Sequence, residues 1–178
     1  MQAGRAGWSA FTDGAGIQPW AGRSRPFGLH RKDMMVLTGI GHVAFRITDL
    51  NRALDFYCDK LGLREAFRLE HEGQPSPWIV YLQIGPNSFL ELFPGAKKEE
   101  ASSESAAGYN HFCLRVDDMD TTIALLTERG LPIQGGPTMG LDGNWQYWLT
   151  DPDGNRIELM QIMPGSPQES AGAAWTAG

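Results

Sequence analysis

The chain contains one pattern of residues twice, and this repetition constrains the fold more than any other feature of the sequence. The first copy begins GHVAFRITDLNRALDFYCDKLGL at residues 41–63, and the second begins NHFCLRVDDMDTTIALLTERGL at residues 110–131. In both, a histidine opens an alternating segment, an aspartate precedes a segment with helical spacing, and a glycine follows it. The two histidines, His42 and His111, lie 69 positions apart, and the two aspartates have the same separation. The repetition therefore predicts two copies of one folded module.

Each copy has the pattern of a strand, a helix and three further strands. Residues 42–47 alternate as a half-buried strand does, and apolar residues after Asp49 recur at helical spacing up to Gly62. Each copy ends in a strand that holds a glutamate between apolar residues. The predicted strands of the first copy are 42–47, 65–70, 78–84 and 88–93. Those of the second copy are 109–116, a short one near 133, 145–150 and 155–161, and its predicted helix spans 119–129. We therefore predict an α+β fold of two tandem βαβββ modules, which pack together or exchange with a second chain.

Composition excludes several kinds of partner. The formal net charge is −6 and there is no basic cluster, which argues against binding to nucleic acid or to an anionic membrane. No apolar run approaches the length of a membrane span. The two cysteines, Cys58 and Cys113, are isolated in the sequence. They favour reduced thiols in a cytoplasmic protein over a disulfide framework.

The ends of the chain differ in composition from its middle. Residues 1–35 are rich in Gly, Ala, Arg and Ser without sustained periodicity, which predicts a disordered leader or a start at Met34 or Met35. A secretory signal is disfavoured because there is no continuous apolar segment. We predict one domain over 36–163, with modules at about 40–93 and 109–161, a linker at 94–108 and a loose tail at 164–178.

Four residues on the predicted strands carry side chains that bind metal ions. Alternate side chains of a strand share a face, so His42 and His111 point away from the apolar face of their strands. Glu91 and Glu158 occupy the corresponding positions of the two closing strands. Taken singly, each is an ordinary surface or packed residue, but their matched places in two copies favour a shared role. We therefore predict that all four side chains line one metal-binding cleft.

Two imidazoles and two carboxylates suit a divalent ion of intermediate softness. We expect Ni²⁺ or Zn²⁺, with Co²⁺, Mn²⁺ or Fe²⁺ as alternatives. Four protein ligands leave positions for water or for two adjacent substrate oxygens. Such an ion stabilises an enediolate while a carboxylate moves a proton.

The same residues carry a resemblance to a known family. The matching motifs are Gly41-His42-Val43, Phe89-Leu90-Glu91-Leu92, Tyr109-Asn110-His111, and Asp151-Pro152-Asp153-Gly154-Asn155 followed by Ile157-Glu158-Leu159. Over about 41–161 the chain resembles the vicinal oxygen chelate superfamily, which comprises glyoxalases, bleomycin resistance proteins and dioxygenases. Within it, the chain is similar to glyoxalase I, also called lactoylglutathione lyase.

The resemblance implies a metal held by His42, Glu91, His111 and Glu158. It implies a lyase or isomerase acting on a hemithioacetal, which includes a glutathione adduct, or on a similar small vicinal-oxygen substrate. Glu158 is the expected catalytic base, and Glu91 is a ligand and the candidate partner for proton transfer in the other direction. A homodimer is also implied, because the site commonly forms between modules of two chains in this family. The alternatives are an Fe-dependent dioxygenase and a small-molecule-binding resistance protein.

Three further residues are candidates for binding substrate. Arg46 matches an arginine that contacts glutathione in glyoxalase I, whereas Gly95 and Ala107 stand where that enzyme has an asparagine and a basic residue. Arg46 and Arg115 share an offset from their histidines, and an arginine pair suits a carboxylate or phosphate. Surface exposure is the alternative for both. We expect Trp148 to form a wall of the pocket, with core packing as its alternative.

Overall fold

The computed structural model describes residues 37, 39–97 and 108–173. These residues belong to one compact unit that starts at Leu37. They form two four-stranded sheets, one in each module, which confirms the predicted α+β fold of two tandem modules. The predicted leader at 1–35 lies outside the described residues, as do residues 98–107 of the predicted linker at 94–108. Across the described part of the chain, no helix has the length and apolar character needed to cross a membrane.

The first module forms a sheet in which the first strand lies beside the last. Its elements are β1 (His42–Ile47), α1 (Leu50–Leu54), a π-helical continuation (Asp55–Lys60), β2 (Arg64–Leu69), β3 (Ile79–Gly85) and β4 (Ser88–Pro94). The strand order is β1-β4-β3-β2. The β1–β4 pair is parallel and the other two pairs are antiparallel. The strand that carries His42 therefore adjoins the strand that carries Glu91.

The second module repeats this topology with one shortened strand. Its elements are β5 (Phe112–Arg115), α2 (Met119–Glu128), β6 (Thr138–Met139), β7 (Trp145–Thr150) and β8 (Arg156–Gln161), in the order β5-β8-β7-β6. The predicted short strand near Ile133 was wrong, because β6 starts only at Thr138. Gly135 has a left-handed φ of 71°, and Pro137 has no N–H to donate. These two residues delay the strand and confine it to two residues.

Both helices begin where the sequence predicts. The Asp49 carboxylate accepts a hydrogen bond from the Arg52 N–H at 3.0 Å, and the Asp118 carboxylate accepts one from the Thr121 N–H at 2.8 Å. These are N-caps, which satisfy backbone donors that the first turn leaves free. Gly62 follows the first helix with a φ of 80°, a left-handed conformation that suits glycine. The π-helical stretch before it has no signal in the sequence.

The apolar faces of the two modules share one core. Phe45 of β1 and Phe112 of β5 contact each other, with ring centroids 5.3 Å apart. The buried Tyr57 hydroxyl crosses between the modules and donates to the Asp151 carboxylate at 2.7 Å. Asp153, in the same turn, accepts from the Thr48 hydroxyl at 2.5 Å. The modules are therefore joined by apolar packing and by buried hydrogen bonds to the β7–β8 turn.

The segment after β8 is more ordered than its composition indicates. The sequence predicts a loose tail from Pro164, whereas the structure has a helix, α3 (Pro167–Ala173). Ser166 is buried at its start, and the Gln168 amide donates to Asp142 at 2.6 Å. Asp142 belongs to the β6–β7 hairpin, so tertiary contacts hold a segment with little apolar content.

Candidate metal-binding site

The first half of the candidate site is a histidine–glutamate pair on the outward face of the first sheet. His42 Nδ1 lies 3.2 Å from Glu91 Oε1. Because β1 and β4 are parallel neighbours with Ala44 level with Glu91, the two side chains meet on the face opposite Phe45. The Glu91 side chain is buried while His42 is largely exposed. The structure thus brings together the two ligands predicted from the first copy.

The second half of the candidate site repeats this arrangement. His111 Nε2 lies 3.1 Å from Glu158 Oε2, and the Glu158 side chain is also buried. The other ring nitrogen, Nδ1, lies 2.7 Å from the Asn110 side-chain oxygen. An Nδ1–H that donates to Asn110 fixes the ring orientation and leaves the Nε2 lone pair directed at Glu158.

Each buried glutamate lies in a row of side chains that runs across its sheet. In the first sheet, Glu91 is level with Ala44 on one side and with Tyr81 and then Phe67 on the other. In the second sheet, Glu158 is level with Cys113 and Trp148. We call these the Glu91 row (Ala44, Glu91, Tyr81, Phe67) and the Glu158 row (Cys113, Glu158, Trp148). Both rows face away from the shared core.

The neighbours of the two glutamates show the effect of their charge. Burial raises the pKa of the Cys113 thiol to about 12, and the charge and hydrogen bonding of Glu158 add to the shift. Burial likewise raises the pKa of the Tyr81 hydroxyl, with a further contribution from its hydrogen bond to Glu91. A buried carboxylate needs a compensating cation, and an imidazole is the nearest basic group to each.

The donor atoms fit a metal ion in each half-site. Two ligands at right angles on an ion with bonds of about 2.1 Å lie about 3.0 Å apart. The nitrogen–oxygen distances of 3.2 and 3.1 Å in the two pairs are close to this separation. An imidazole lone pair and a carboxylate oxygen this close repel each other unless a proton or a metal ion lies between them.

The four predicted ligands do not form one cluster within a single chain. Among the described residues, no group of three or more His, Cys, Asp or Glu side chains is placed to hold a metal ion. Phe45 and Phe112 lie on the faces opposite the histidines and contact each other across the core. The two His–Glu pairs therefore point outward on separate faces. The prediction that all four side chains line one cleft does not hold for the isolated chain.

The predicted substrate residues lie on the same outward faces as the pairs. Arg46 is exposed, with its guanidinium carbon 5.9 Å from the Phe93 ring centroid. Arg115 is exposed on β5. Trp148 lies beside His111, with ring centroids 4.8 Å apart, and its ring is covered by Arg156 at 4.7 Å. Trp148 therefore adjoins the second pair, as a pocket wall would.

Two residues of these outward faces were not predicted from the sequence. Arg156, which covers Trp148, has no counterpart that would mark it. Tyr81 does have a counterpart, because it lies ten positions before Glu91, as Trp148 lies ten positions before Glu158. An aromatic residue at the same place in both copies was a detectable signal.

One cavity is separate from both His–Glu pairs, although Trp148 is among its lining residues. It has a volume of about 590 Å³ between the first helix and the free edge of β7, and Arg52, Phe56, Tyr147 and Leu149 are among its lining residues. None of the four histidine and glutamate side chains lines it. We assign the chemistry to the outward faces because a buried glutamate lies beside a histidine on each of them.

Comparisons with known proteins agree with this topology. The chain is 27% identical over 152 residues to 2-epi-5-epi-valiolone epimerase of Actinomyces sp., covering 73% of this chain and 82% of that protein. It is 29% identical over 128 residues to a probable lactoylglutathione lyase of Synechocystis sp., covering 67% of this chain and 92% of that protein. A solved superfamily structure from Sphaerobacter thermophilus is 26% identical with a TM-score of 0.54, covering 72% of this chain and 100% of that chain.

A family model covers both modules. The model of the Glyoxalase/Bleomycin resistance protein/Dioxygenase superfamily matches residues 39–159, a span that includes all four predicted histidine and glutamate ligands. Together with the two tandem βαβββ modules, this match defines the family. The chain therefore belongs to the glyoxalase/bleomycin resistance protein/dioxygenase superfamily.

Proposed function

We propose that this protein is a metal-dependent lyase or isomerase of the glyoxalase I type. Its substrate would be a hemithioacetal or a similar small molecule with two adjacent oxygens. The observation that carries the proposal is the pair of buried carboxylates, Glu91 and Glu158, each directed at a histidine nitrogen at about 3 Å. Two relatives, named as an epimerase and a probable lyase, support proton-transfer chemistry.

The proposed ion would be held by His42 and Glu91 of one chain and by His111 and Glu158 of a second copy. A homodimer is proposed because each chain presents two outward half-sites, each with only two ligands. Ni²⁺ or Zn²⁺ is the expected ion, since two imidazoles and two carboxylates suit either. When bound, it would stabilise negative charge on two adjacent substrate oxygens.

The protein's own side chains would move the proton and orient the substrate. Glu158 would take a proton from one substrate carbon and return it to the neighbouring carbon, while Glu91 would act as a ligand and as the partner for transfer in the other direction. Arg46 and Arg115 would hold a carboxylate or another anionic group, since guanidinium binds such groups in a bidentate manner. Trp148 would close one side of the pocket and exclude water.

The free thiols of Cys58 and Cys113 are consistent with a cytoplasmic location.

Metal content and assembly test this proposal directly. We expect one ion per chain by elemental analysis after reloading, and a dimer by light scattering. His42→Ala and His111→Ala should each weaken metal affinity, because each removes one ligand from every site. Unchanged affinity in both variants would refute the ligand assignment. Full metal content without turnover of any hemithioacetal would reject the substrate class, and a requirement for Fe²⁺ and oxygen would indicate a dioxygenase instead.

A further inference from the structure

We propose that the substrate carries a planar aromatic group, which packs against Phe67 and Tyr81 of one half-site and Trp148 of the other. This inference rests on the proposed function and specifies its substrate class. The inward and outward faces of each sheet differ in their side chains. Aliphatic and aromatic side chains fill the inward faces, as a core requires, but aromatic rings also stand on the outward faces beside the buried glutamates.

The Glu91 row carries the larger aromatic surface. The Phe67 and Tyr81 rings are stacked, with centroids 4.2 Å apart and planes 20° from parallel. Phe89, on the same face, meets both rings edge-on at 6.1 and 6.0 Å. Phe67 nevertheless remains 44% exposed. An aromatic stack thus lies on the two strands next to that of Glu91, and its outer member, Phe67, remains open to a ligand.

The Glu158 row has its own aromatic residue at the matching position. Trp148 is 39% exposed although two neighbours fix its ring, His111 at 4.8 Å and Arg156 at 4.7 Å. Holding a large ring in place before a ligand arrives lowers the entropy cost of binding. Both rows therefore combine a buried carboxylate with a positioned aromatic ring.

Core packing does not account for these rings. Val80 and Leu82 flank Tyr81 in β3, and they are fully buried on the inward face. Tyr147 and Leu149 flank Trp148 in β7 in the same way. The rings of the rows lie on the opposite face, where exposure of a large apolar surface is unfavourable without a partner.

The chemistry of the Glu91 row selects a class of ligand. Beyond Glu91, its outward side chains are a methyl group, a phenol and a phenyl ring, and none carries a positive charge. Such a surface binds an uncharged planar group by offset stacking. A charged peptide-like portion would find cations outside this row, at Arg46, Arg115 and Arg156. An aryl substituent next to the two chelating oxygens therefore fits the row better than a methyl group does.

A matched pair of chelators tests the inference without relying on turnover. Benzohydroxamate and acetohydroxamate present the same two adjacent oxygens and differ in a phenyl or a methyl group. With metal-loaded protein, calorimetry should show benzohydroxamate binding about tenfold more tightly or better, because the phenyl ring adds stacked apolar contact. Phe67→Ala and Trp148→Ala should each reduce this ratio at least threefold. Circular dichroism and bound metal confirm that the variants are folded, and Phe67→Leu provides a second variant at that position.

Trp145→Ala is the control. Trp145 lies on the same strand as Trp148 and is 36% exposed, but its side chain points to the opposite face. Its removal should leave the benzohydroxamate preference unchanged. Equal affinity for the two chelators in the wild type, or a preference that survives in both Phe67→Ala and Trp148→Ala, would overturn the inference while leaving the metal site in place.

A second measurement tests the aromatic site even if the proposed metal-dependent function is wrong. If the protein binds no metal, the metal-free protein is titrated with 2-naphthol, followed by the fluorescence of the naphthol. Saturable binding that is lost in Phe67→Ala and kept in Trp145→Ala would support the aromatic site alone. Absence of binding, or binding equal in all variants, would refute it.

Discussion

The two modules of this protein keep the same ligand-bearing strands but differ at their outer edge. In the first, β2 has six residues, five of which pair with β3. In the second, the corresponding β6 has two residues, and most of β7 lacks an outer neighbour. The parallel pairs β1–β4 and β5–β8, in contrast, each hold a glutamate, with a histidine at the start of β1 and directly before β5. The site therefore depends on the parallel pair of strands in each sheet, β1–β4 or β5–β8, while the strand at the opposite edge, β2 or β6, is free to vary.

The rows of the two modules differ in a second way. Glu91 has Ala44 and Tyr81 as its neighbours, whereas Glu158 has Cys113 and Trp148. The two carboxylates therefore occupy similar backbone positions in unlike surroundings. Unlike surroundings allow one carboxylate to serve mainly as a ligand while the other moves protons.

Exchange of each glutamate for glutamine gives the largest expected effect. Glu158→Gln keeps the size and one ligand oxygen but removes the proton acceptor. Turnover per bound metal should fall by roughly 10²–10⁴-fold, the usual contribution of a general base. The assay follows hemithioacetal isomerisation alongside elemental analysis. Glu91→Gln is the matched variant and should mainly weaken metal affinity.

The opposite pattern would break the proposed division of roles. Wild-type turnover in metal-loaded Glu158→Gln would refute its assignment as the base. Equal losses per bound metal in the two variants would show that the two rows are equivalent in spite of their different neighbours.

The reactivity of the Cys113 thiol depends on the charge of Glu158. With a pKa of about 12, its thiolate is scarce at pH 8, so alkylation by iodoacetamide should be about a hundredfold slower than for an ordinary thiol. Glu158→Gln removes a negative charge, which lowers the thiol pKa and speeds the reaction. Peptide mass spectrometry of the metal-free protein separates Cys113 from Cys58, and the chain unfolded in denaturant is the control. A rate unchanged by the substitution would show that Glu158 does not act on the thiol.

The contact that joins the modules can be compared with one inside a module. Tyr57→Phe removes a buried hydrogen bond to the Asp151 carboxylate, and bonds to charged groups contribute about 1.5–3 kcal/mol. Tyr147→Phe removes contacts of a hydroxyl with the Gln134 backbone, with an expected loss of about 0.5–1.5 kcal/mol. Urea unfolding measures both free energies. A larger loss in Tyr147→Phe would reverse the order and show that the junction contributes little.

Local patterns and long-range packing differ in what the sequence reveals. The caps at Asp49 and Asp118, the strands other than the one predicted near Ile133, and the faces of the four predicted ligands follow from residues close in sequence. These predictions agree with the structure. The outward direction of the two half-sites could not be predicted from nearby residues, because it depends on long-range contacts such as that of Phe45 with Phe112. The helix α3 was missed for the same reason, since its polar residues are held by a hairpin far away in sequence.

The smallest expected effect concerns the end of the outer strand. Gly135 has a φ of 71°, whereas its neighbour Gly136 is not in the left-handed region, and a Cβ at either position would meet no atom within 4 Å. Gly135→Ala should therefore cost about 1 kcal/mol through backbone strain alone. Gly136→Ala should change stability by less than about 0.5 kcal/mol, because the space is open and the conformation is ordinary. Urea unfolding again measures both. Equal effects would mean that the left-handed turn at Gly135 is not what stops the segment from extending β6, and the difference between the two modules would then rest on Pro137, which cannot donate to a neighbouring strand.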